Sequence, residues 1–386
     1  MINKGENMKV LHLSSSYPYT DLYKNLLAHL DLKGIEQLMY VAIKDETQKN
    51  KRVLENPKST EYIFSSSFNK FDSYVYYSKI RKIYQDINLK LDLEQFDLTH
   101  AHFLFSDGGI AYKIKKDFHK EYIVAVRNSD VNFFFKYGLH IRNYGIRILK
   151  EAKKIIFISP TYKDFLFTKY VPKKLRRELN EKTYVIPNGV DYFWLQNINY
   201  NKKPKSNLES VNLVFTGELN KNKNIINSLK AVKLLVEKGY KVNFDIIGTG
   251  PLKKEVIDIA QKKNIMPYIN LHGYIYDREK IINIYRRSDI FLMPSYKETF
   301  GLVYIEAMTQ GLPVIYSKGQ GIDGYFHEGD IGFHVTPENT KEIVTTVEKI
   351  LYNYKNFSNN CLQKVDTFSW AKITDNYISL YKDVKG

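Results

Sequence analysis

The sequence is poor in cysteine: its 386 residues include only Cys361. One thiol can form neither an internal disulfide nor a cysteine cluster for zinc, so a disulfide-rich secreted scaffold is excluded and a reducing compartment fits. No stretch reaches the ~18 consecutive apolar residues that cross a bilayer. Residues 1–8 are polar and lack the apolar centre of a signal peptide. These absences predict a cytoplasmic protein, which could still lie at the inner face of a membrane.

What is present indicates packed domains with a basic surface. Apolar residues make up 44% of the chain and charged residues 26%, which disfavours disorder. The formal net charge is +16, and residues 101–200 alone hold 18 Lys and Arg against 9 Asp and Glu. A basic surplus favours anionic partners, but it also suits an ordinary soluble surface, and both interpretations stay open. No recognised nucleic-acid-binding module is present, so we expect no nucleic-acid partner.

Short apolar runs alternate with longer helical patterns in two series, which predicts parallel sheets covered by helices. The polar segment 197–210 separates the series and is the best candidate linker. We therefore predict an α/β protein of two Rossmann-like domains facing a cleft, divided between residues 196 and 197. The predicted strands are 9–14, 37–43, 96–102, 122–126, 154–158 and 183–186, then 213–215, 244–247, 269–271, 290–293, 313–316 and 332–335.

The segment 296–315 is almost entirely apolar or small, yet it contains Glu298 and Glu306. Glu298 follows a predicted strand, and Glu306 lies about two turns further on, inside the helix predicted from residue 302 to 309. A buried glutamate could be half of a structural ion pair. Two carboxylates beside a helix N-terminus favour a ligand site, because carboxylates accept from vicinal diols and helix N-termini bind phosphate. Together these groups suit a nucleoside-diphosphate sugar.

Several motifs carry a resemblance to a known family. The block "ETFGLVYIEAMTQGLPVI" resembles the E-x7-E signature of the retaining glycosyltransferases of the GT-B fold, family 4. "FTGELNKNKNI", "FDIIGTGPLKKEV", "LHGYIYDREKI" and "VIPNGVD" stand in the family's order and spacing. "FSWAKITDNYISLY" resembles its final helix, which crosses back to the N-terminal domain. The implied domains are 1–196 with the helix 369–386 for acceptor binding, and 197–368 for the nucleotide sugar.

The resemblance assigns roles to residues on the donor side. Glu298 would hold hydroxyls of the donor sugar, and Glu306 would hold the ribose diol. Lys223 matches the family's diphosphate lysine, where a fixed cation stabilises the charge that grows on the leaving group. An ordinary surface lysine is the alternative for Lys223. The resemblance also places on the donor side Thr299, Phe300, Gly301, Gly217, Lys221, Gly248 and Tyr274.

The sequence departs from the family pattern at two places. Glu218 stands where the family usually has a phosphate-binding arginine, so Lys221 would have to compensate or Glu218 to point away. Arg127 stands where many relatives have a histidine, and we expect it to be catalytic, with Asp130 on the acceptor side. A surface pair of Arg127 and Asp130 is the alternative. Ser15 and His102 complete the expected acceptor side, and a structural role is equally open for His102.

No Asp-x-Asp motif occurs in the sequence, so we expect neither a metal nor another cofactor. The family implies retention without a covalent intermediate, with the leaving phosphate taking the acceptor proton. The expected function is transfer of a sugar, from a uridine nucleotide by default, to a saccharide or lipid-linked acceptor. A bacterial surface polysaccharide, such as capsule, lipopolysaccharide or exopolysaccharide, is the expected product.

Three other functions compete with this interpretation. A sugar-nucleotide epimerase shares the GT-B fold, and an inactive sugar-nucleotide-binding protein is compatible with Glu218 and Arg127. A nicotinamide dehydrogenase would need a Gly-x-Gly-x-x-Gly turn after the first strand, and residues 14–18 contain no glycine. Basic and aromatic residues interleave across 133–177, which suits either an anionic membrane surface or a solvated basic face.

Overall fold

The computed structural model describes residues 8–69, 72, 75–203, 205 and 207–385. The polar segment 1–7 and Pro204 of the predicted linker lie outside the described residues. The described chain forms two compact units. The first contains the residues up to Ile158, Lys163–Gly189 and the C-terminal segment from Trp370; the second contains Ser159–Tyr162 and Val190–Ser369.

Thirteen strands occur in the described residues. They are β1 (Lys9–Leu13), β2 (Glu36–Ala42), β3 (Thr60–Ser65), β4 (Leu98–Ala101), β5 (Tyr122–Val126), β6 (Lys154–Phe157), β7 (Thr183–Val185), β8 (Ser210–Thr216), β9 (Lys241–Ile247), β10 (Ile269–Gly273), β11 (Ile290–Leu292), β12 (Val314–Ser317) and β13 (Gly332–Val335).

Fourteen α-helices occur in the same residues. They are α1 (Asp21–Leu32), α2 (Tyr76–Lys90), α3 (Gly108–Phe118), α4 (Arg142–Glu151), α5 (Pro160–Lys169), α6 (Lys173–Glu181), α7 (Tyr192–Gln196), α8 (Ile225–Glu237), α9 (Lys253–Lys262), α10 (Arg278–Arg287), α11 (Leu302–Thr309), α12 (Thr340–Tyr352), α13 (Tyr354–Lys364) and α14 (Trp370–Lys385). No described helix is both long and apolar enough to cross a membrane.

Both units contain a parallel sheet with the same arrangement. The first has the order β3-β2-β1-β4-β5-β6-β7, and the second has β10-β9-β8-β11-β12-β13. Each sheet therefore begins with its third, second and first strands and continues outward from the fourth, which is the Rossmann order. Helices cover both faces of such sheets, so central strands are apolar throughout, as in the fully buried β5. The prediction of two Rossmann-like domains is confirmed.

All twelve predicted strands are present, with ends shifted by a few residues. The sequence prediction missed β3, which pairs in parallel with β2 at the edge of the first sheet. Its sequence TEYIFS is half exposed and contains Glu61. Only part of β3 is covered, so its apolar pattern is weaker than that of a central strand buried on both faces.

The predicted linker 197–210 lies inside the second unit, after the division at Gly189 and Val190. Lys202 Nζ donates to the carbonyl oxygens of Arg286 and Ser288, at 2.8 and 2.6 Å, at the end of α10. Lys205 forms an ion pair with Asp289 at 2.7 Å. These polar residues are thus held to the second unit by hydrogen bonds, which a composition-based prediction could not reveal.

The C-terminal helix α14 belongs to the first unit, as the family resemblance implies. Its apolar side chains Trp370, Tyr377 and Tyr381 join the same core cluster as Val10 of β1 and Leu98 of β4. The end of the chain therefore completes the core of the unit in which the chain began.

Candidate functional site

In the second unit, a lysine and a glutamate meet beyond the carboxyl ends of two neighbouring strands. Glu298 lies in the loop between β11 and α11, and Lys223 lies in a short turn after β8. Their side chains form an ion pair and keep 14% and 22% of their surface exposed. Because β8 and β11 are paired in parallel, their carboxyl ends lie side by side, which is where open α/β sheets bind ligands.

Backbone contacts hold these two loops together. Tyr296 N donates to Asn222 O at 2.8 Å, and Asn222 Nδ2 donates to Lys297 O at 2.8 Å. Asn220 caps the turn by accepting from Lys223 N at 2.9 Å. Asn224 Nδ2 donates to Pro294 O at 2.9 Å. The asparagine-rich sequence after β8 therefore fixes the position of Lys223 against the Glu298 loop.

Glycine is required beside Glu298. Gly301 has a φ of 83°, which favours glycine, and a Cβ there would lie 2.5 Å from the Tyr304 ring and 3.1 Å from Glu298 Cγ. Gly321, at φ 61°, would place a Cβ 3.1 Å from the same Glu298 carbon. The two glycines leave room for the Glu298 side chain at the N-terminus of α11.

A third close approach joins the loops after β8 and β9. Gly248 has a φ of 135°, and a Cβ there would lie 2.0 Å from Gly217 O. Gly217 N donates to Ile247 O at 3.0 Å, and Gly248 N donates to Gly273 O at 2.7 Å. Glycine at 248 thus lets three strand ends, those of β8, β9 and β10, come together at one edge.

Glu306 begins the second half of α11 and keeps some exposure. Burial of its carboxyl raises its pKa to about 7, while the positive charge of Arg278 acts in the opposite direction. Arg278 itself forms an ion pair with Asp191 at 2.9 Å. The carboxyl also lies near Tyr285, whose hydroxyl donates to Thr216 Oγ1 at 2.9 Å. The Glu306 carboxylate therefore has no cation of its own bonded to it among the described contacts.

The remaining predicted donor-side residues differ in their position relative to Lys223 and Glu298. Thr299 N donates to Glu298 Oε1 at 3.1 Å, and Phe300 is buried against Phe368 at a centroid distance of 5.7 Å. Lys221 is exposed on the same turn as Lys223. Tyr274, after β10, is 63% exposed and contacts another exposed tyrosine. Four of the predicted donor-side residues lie together, namely Lys223, Glu298, Thr299 and Gly301. Two others, Lys221 and Tyr274, project outward.

Glu218 does not form an ion pair with the described lysines of its loop. Its side chain is exposed and accepts from Asn220 Nδ2 at 2.7 Å. The carboxylate that replaces the family's arginine is therefore engaged by an amide.

In the first unit, Arg127 and Asp130 are buried, so the alternative of a surface pair is wrong. Asp130 accepts from the backbone N–H groups of Arg127, Leu104 and Phe105, at 2.8, 3.1 and 3.0 Å. Burial raises the pKa of Asp130 to about 6, and these hydrogen bonds oppose the rise. Arg127 Nε donates to His102 O at 3.3 Å. Asp130 thus holds the loops after β4 and β5 together.

His102 is one of three buried histidines. His12 Nδ1 lies 3.0 Å from His102 Nε2, and His100 Nδ1 lies 2.7 Å from the Tyr381 hydroxyl. Burial lowers the pKa of His12 to about 3 and lowers those of His100 and His102 well below the usual value. His102 is therefore a neutral member of a packed cluster between β1, β4 and α14.

The sequence prediction missed Asp107, the buried partner of Ser15. Ser15 N donates to Asp107 Oδ1 at 3.1 Å, and the Oδ2 atom has no hydrogen-bond partner among the described residues. Burial raises the Asp107 pKa to about 7. Its place a few residues after a predicted strand, in "FLFSDGG", is the signal in the sequence that indicates it.

Comparison with known proteins defines the class. Residues 196–364 match the family model described as Glycosyl transferases group 1. An uncharacterized glycosyltransferase of Methanocaldococcus jannaschii is 24% identical over 98% of this chain and 99% of its own. The capsular polysaccharide biosynthesis glycosyltransferase CapM of Staphylococcus aureus is 25% identical over 76% of this chain and 89% of its own.

Solved structures show the fold. The lipopolysaccharide outer core galactosyltransferase WaaB superposes with a TM-score of 0.74 at 14% identity, covering 97% of this chain and 99% of its own. Anabaena HepE, solved with UDP-glucose, has a TM-score of 0.63 at 14% identity, covering 98% and 100%. The protein thus has the GT-B fold of glycosyltransferases. The similarity of residues 196–364 to the glycosyl transferases group 1 agrees with the resemblance and with the predicted enzyme class, a glycosyltransferase. Membership of family 4 and the retaining mechanism stay predictions.

Proposed function

We propose that the protein is a retaining glycosyltransferase that moves a sugar from a nucleoside diphosphate, by default uridine diphosphate, to a saccharide or lipid-linked saccharide. The proposal depends chiefly on the pair of Lys223 and Glu298 beside the N-terminus of α11. A lysine, a carboxylate and the amides of a helix N-terminus in one place match the diphosphate and the hydroxyls of a nucleotide sugar. HepE, a structural neighbour, is described in complex with UDP-glucose.

In this proposal each group contacts a different part of the donor. Lys223 leaves Glu298 to contact the leaving diphosphate, where a fixed cation stabilises developing charge. Glu298 is then released to accept hydrogen bonds from the hydroxyls of the sugar. The ionised Glu306 accepts both hydroxyls of the ribose, since a carboxylate can accept two hydrogen bonds side by side. The amides of Phe300 and Gly301 serve the distal phosphate.

The reaction we propose needs no metal. Lys223 and the N-terminus of α11 supply the positive field that a divalent ion would otherwise provide. The leaving phosphate takes the proton of the acceptor hydroxyl on the face from which it departs, which retains the configuration of the sugar. Activity that persists in EDTA supports this part of the proposal, and activity restored only by magnesium or manganese would contradict it.

The proposed product is a bacterial surface polysaccharide, which the similarity to CapM and WaaB supports. The proposed location is cytoplasmic, at an anionic membrane surface. Lys173, Lys174 and Arg177 are exposed on α6, and each basic residue near an anionic leaflet contributes about 1 kcal/mol. Liposome flotation tests the location: binding should require anionic lipid, fall with salt, and weaken when these three residues become serine.

The test of the function itself is product analysis with a set of nucleotide sugars. A transferase releases nucleotide only when an acceptor is present, and NMR of the product gives the anomeric configuration. Glu298→Ala should abolish turnover, while the affinity for free uridine diphosphate stays within about threefold. Interconversion of nucleotide sugars without acceptor would indicate the epimerase, and binding without any turnover would indicate the inactive binder.

A further inference from the structure

An aromatic cavity of about 270 Å³ opens on the first unit, and none of the predicted site residues lines it. Its volume lies between α2 and the segment 133–141. The apolar part of the lining is formed by Tyr76, Ile80, Phe133, Phe134, Tyr137 and Ile141. Phe133 and Tyr137 are 60% and 63% exposed, with ring centroids 6.0 Å apart. Exposed aromatic groups around an apolar cavity mark a surface that binds an apolar partner.

A second cavity of about 330 Å³ shares one residue with the first, Lys79 of α2. Its lining is polar and lies beyond the carboxyl ends of β1 and β2. It includes Ser15, Ser16, Tyr19, Lys44, Gln48 and Lys79. Lys79 therefore stands at the junction between an apolar cavity and a polar one.

The junction between the cavities carries two basic side chains, Lys79 and Lys44. Burial lowers the Lys79 pKa, the nearby Asp107 acts in the opposite direction, and the charge of Lys44 lowers the pKa as well. The described contact of the Lys79 ammonium is with the ring of Phe68, 4.8 Å from its centroid. A phosphate in the polar cavity would lie beside both lysines and favour their charged forms, because an opposite charge nearby raises the pKa of a lysine.

We propose that the first unit binds its acceptor as a lipid phosphate, with the hydrocarbon chain in the aromatic cavity and the phosphate at Lys79 and Lys44. This inference builds on the proposed function and names the class of acceptor. The polar cavity then receives the head group beyond the phosphate. An apolar peptide would also suit an aromatic lining, but it offers no anion to the two lysines, so charge complementarity favours the lipid phosphate.

The test uses the full-length protein with farnesyl phosphate, farnesol and inorganic phosphate as probes in calorimetry. Farnesyl phosphate should bind about tenfold more tightly than farnesol, because it adds a charge-assisted contact to the apolar one. Lys79→Gln should remove that advantage and leave farnesol binding unchanged. The double variant of Phe133→Ser and Tyr137→Ser should weaken both farnesyl probes.

Matched controls lie on the same helix. Arg81→Gln removes an exposed cation and Leu89→Ser an exposed apolar side chain, and neither residue lines the cavities. Both should bind farnesyl phosphate like the wild type. Equal affinity for farnesyl phosphate and farnesol would overturn the inference. So would equal losses in Lys79→Gln and Arg81→Gln, which would indicate only a diffuse attraction to anionic lipid.

Binding of uridine diphosphate to each variant separates this inference from the proposed function. Variants that lose farnesyl phosphate but keep the nucleotide test the acceptor class alone. A protein that binds farnesyl phosphate through Lys79, yet transfers no sugar from any nucleotide, would contradict the proposed function and leave the lipid-phosphate site standing.

Discussion

The two units share a strand order but differ in the exposure of the charged and polar groups that follow their strands. In the second unit, Lys223 and Glu298 follow β8 and β11 and keep part of their surface exposed. In the first unit, Asp130 and His102 follow β5 and β4 and are fully buried. The same position in a Rossmann sheet therefore holds accessible charged groups in one unit and enclosed polar groups in the other.

The difference lies in what satisfies each group. Asp130 is bonded by three backbone N–H groups, so its carboxylate already has the partners that burial demands. Lys223 and Glu298 have chiefly each other, and a ligand that offers a phosphate and hydroxyls can replace both partners. Strand-end position alone consequently does not identify a binding residue, because the state of its hydrogen bonds decides whether a ligand can compete.

Replacing Lys223 should give the largest effect. Lys223→Ala should lower kcat by about 100-fold or more, since it removes a fixed charge from the developing diphosphate. Lys221→Ala removes an exposed lysine from the same turn and should change kcat by less than about threefold. Steady-state kinetics on both variants, checked for folding by thermal melting, measures the contrast. Similar losses in the two would break the distinction between the ion-paired and the exposed lysine.

A substitution of Arg127 tests the comparison in the first unit. Arg127→Gln should destabilise the protein by about 3 kcal/mol in urea unfolding, because it removes a buried cation from beside Asp130. Arg147→Gln, on the exposed face of α4, should be close to neutral. A catalytic role for Arg127 was predicted from the sequence. A large fall in kcat with unchanged stability would support that role and contradict the enclosed character of this strand end.

Glu306 should couple nucleotide binding to pH. Glu306→Ala should weaken uridine diphosphate binding by about 1–3 kcal/mol at pH 8. Burial raises the Glu306 pKa to about 7, so the wild-type carboxyl takes up a proton as the pH falls through 7 and loses its capacity to accept both hydroxyls. Affinity should therefore decline more steeply from pH 8 to pH 6 in the wild type than in Glu306→Gln, where only the terminal phosphate of the nucleotide, with a pKa of about 6, still titrates. An unchanged slope in Glu306→Gln would remove Glu306 from the ribose.

The buried histidines should give the smallest effect, and it appears in stability. The cluster of His12, His100 and His102 is packed against Tyr377, Tyr381 and the charge of Arg127. Burial lowers the His12 pKa to about 3. His12 therefore takes up a proton near pH 6.5 in the unfolded chain but stays neutral at that pH in the folded chain. Stability from neutral His12 is therefore lost as the pH falls below 6.5.

The variant His12→Asn isolates this contribution. It should be less stable than the wild type at pH 7.5, and the difference should shrink by about 1.4 kcal/mol for each pH unit below 6.5. Urea unfolding from pH 7.5 to 5 measures the change. His327→Asn, on an exposed loop, is the control, and a parallel pH dependence in that variant would assign the effect to something other than burial.

The sequence was sufficient for much of the fold. Central strands such as β5 and β11 are apolar throughout because helices cover both faces, and this makes them recognisable. The edge strand β3 was missed because its side chains are only partly covered, which leaves a weaker apolar pattern. The polar segment 197–210 was taken for a linker because composition does not reveal that Lys202 and Lys205 bond to the end of α10 and to Asp289.

The candidate site, like the fold, could be predicted from the sequence only in part. By itself the sequence determined the two-series α/β architecture and singled out Glu298 and Glu306, because periodicity and spacing are local along the chain. The family resemblance added Lys223. Only the tertiary structure decided that Lys223 pairs with Glu298, that Asp130 is enclosed by amides, and that Asp107 lies behind Ser15. Those facts depend on contacts between residues far apart in the chain, and a side chain's burial and partners follow from the packing of several elements at once.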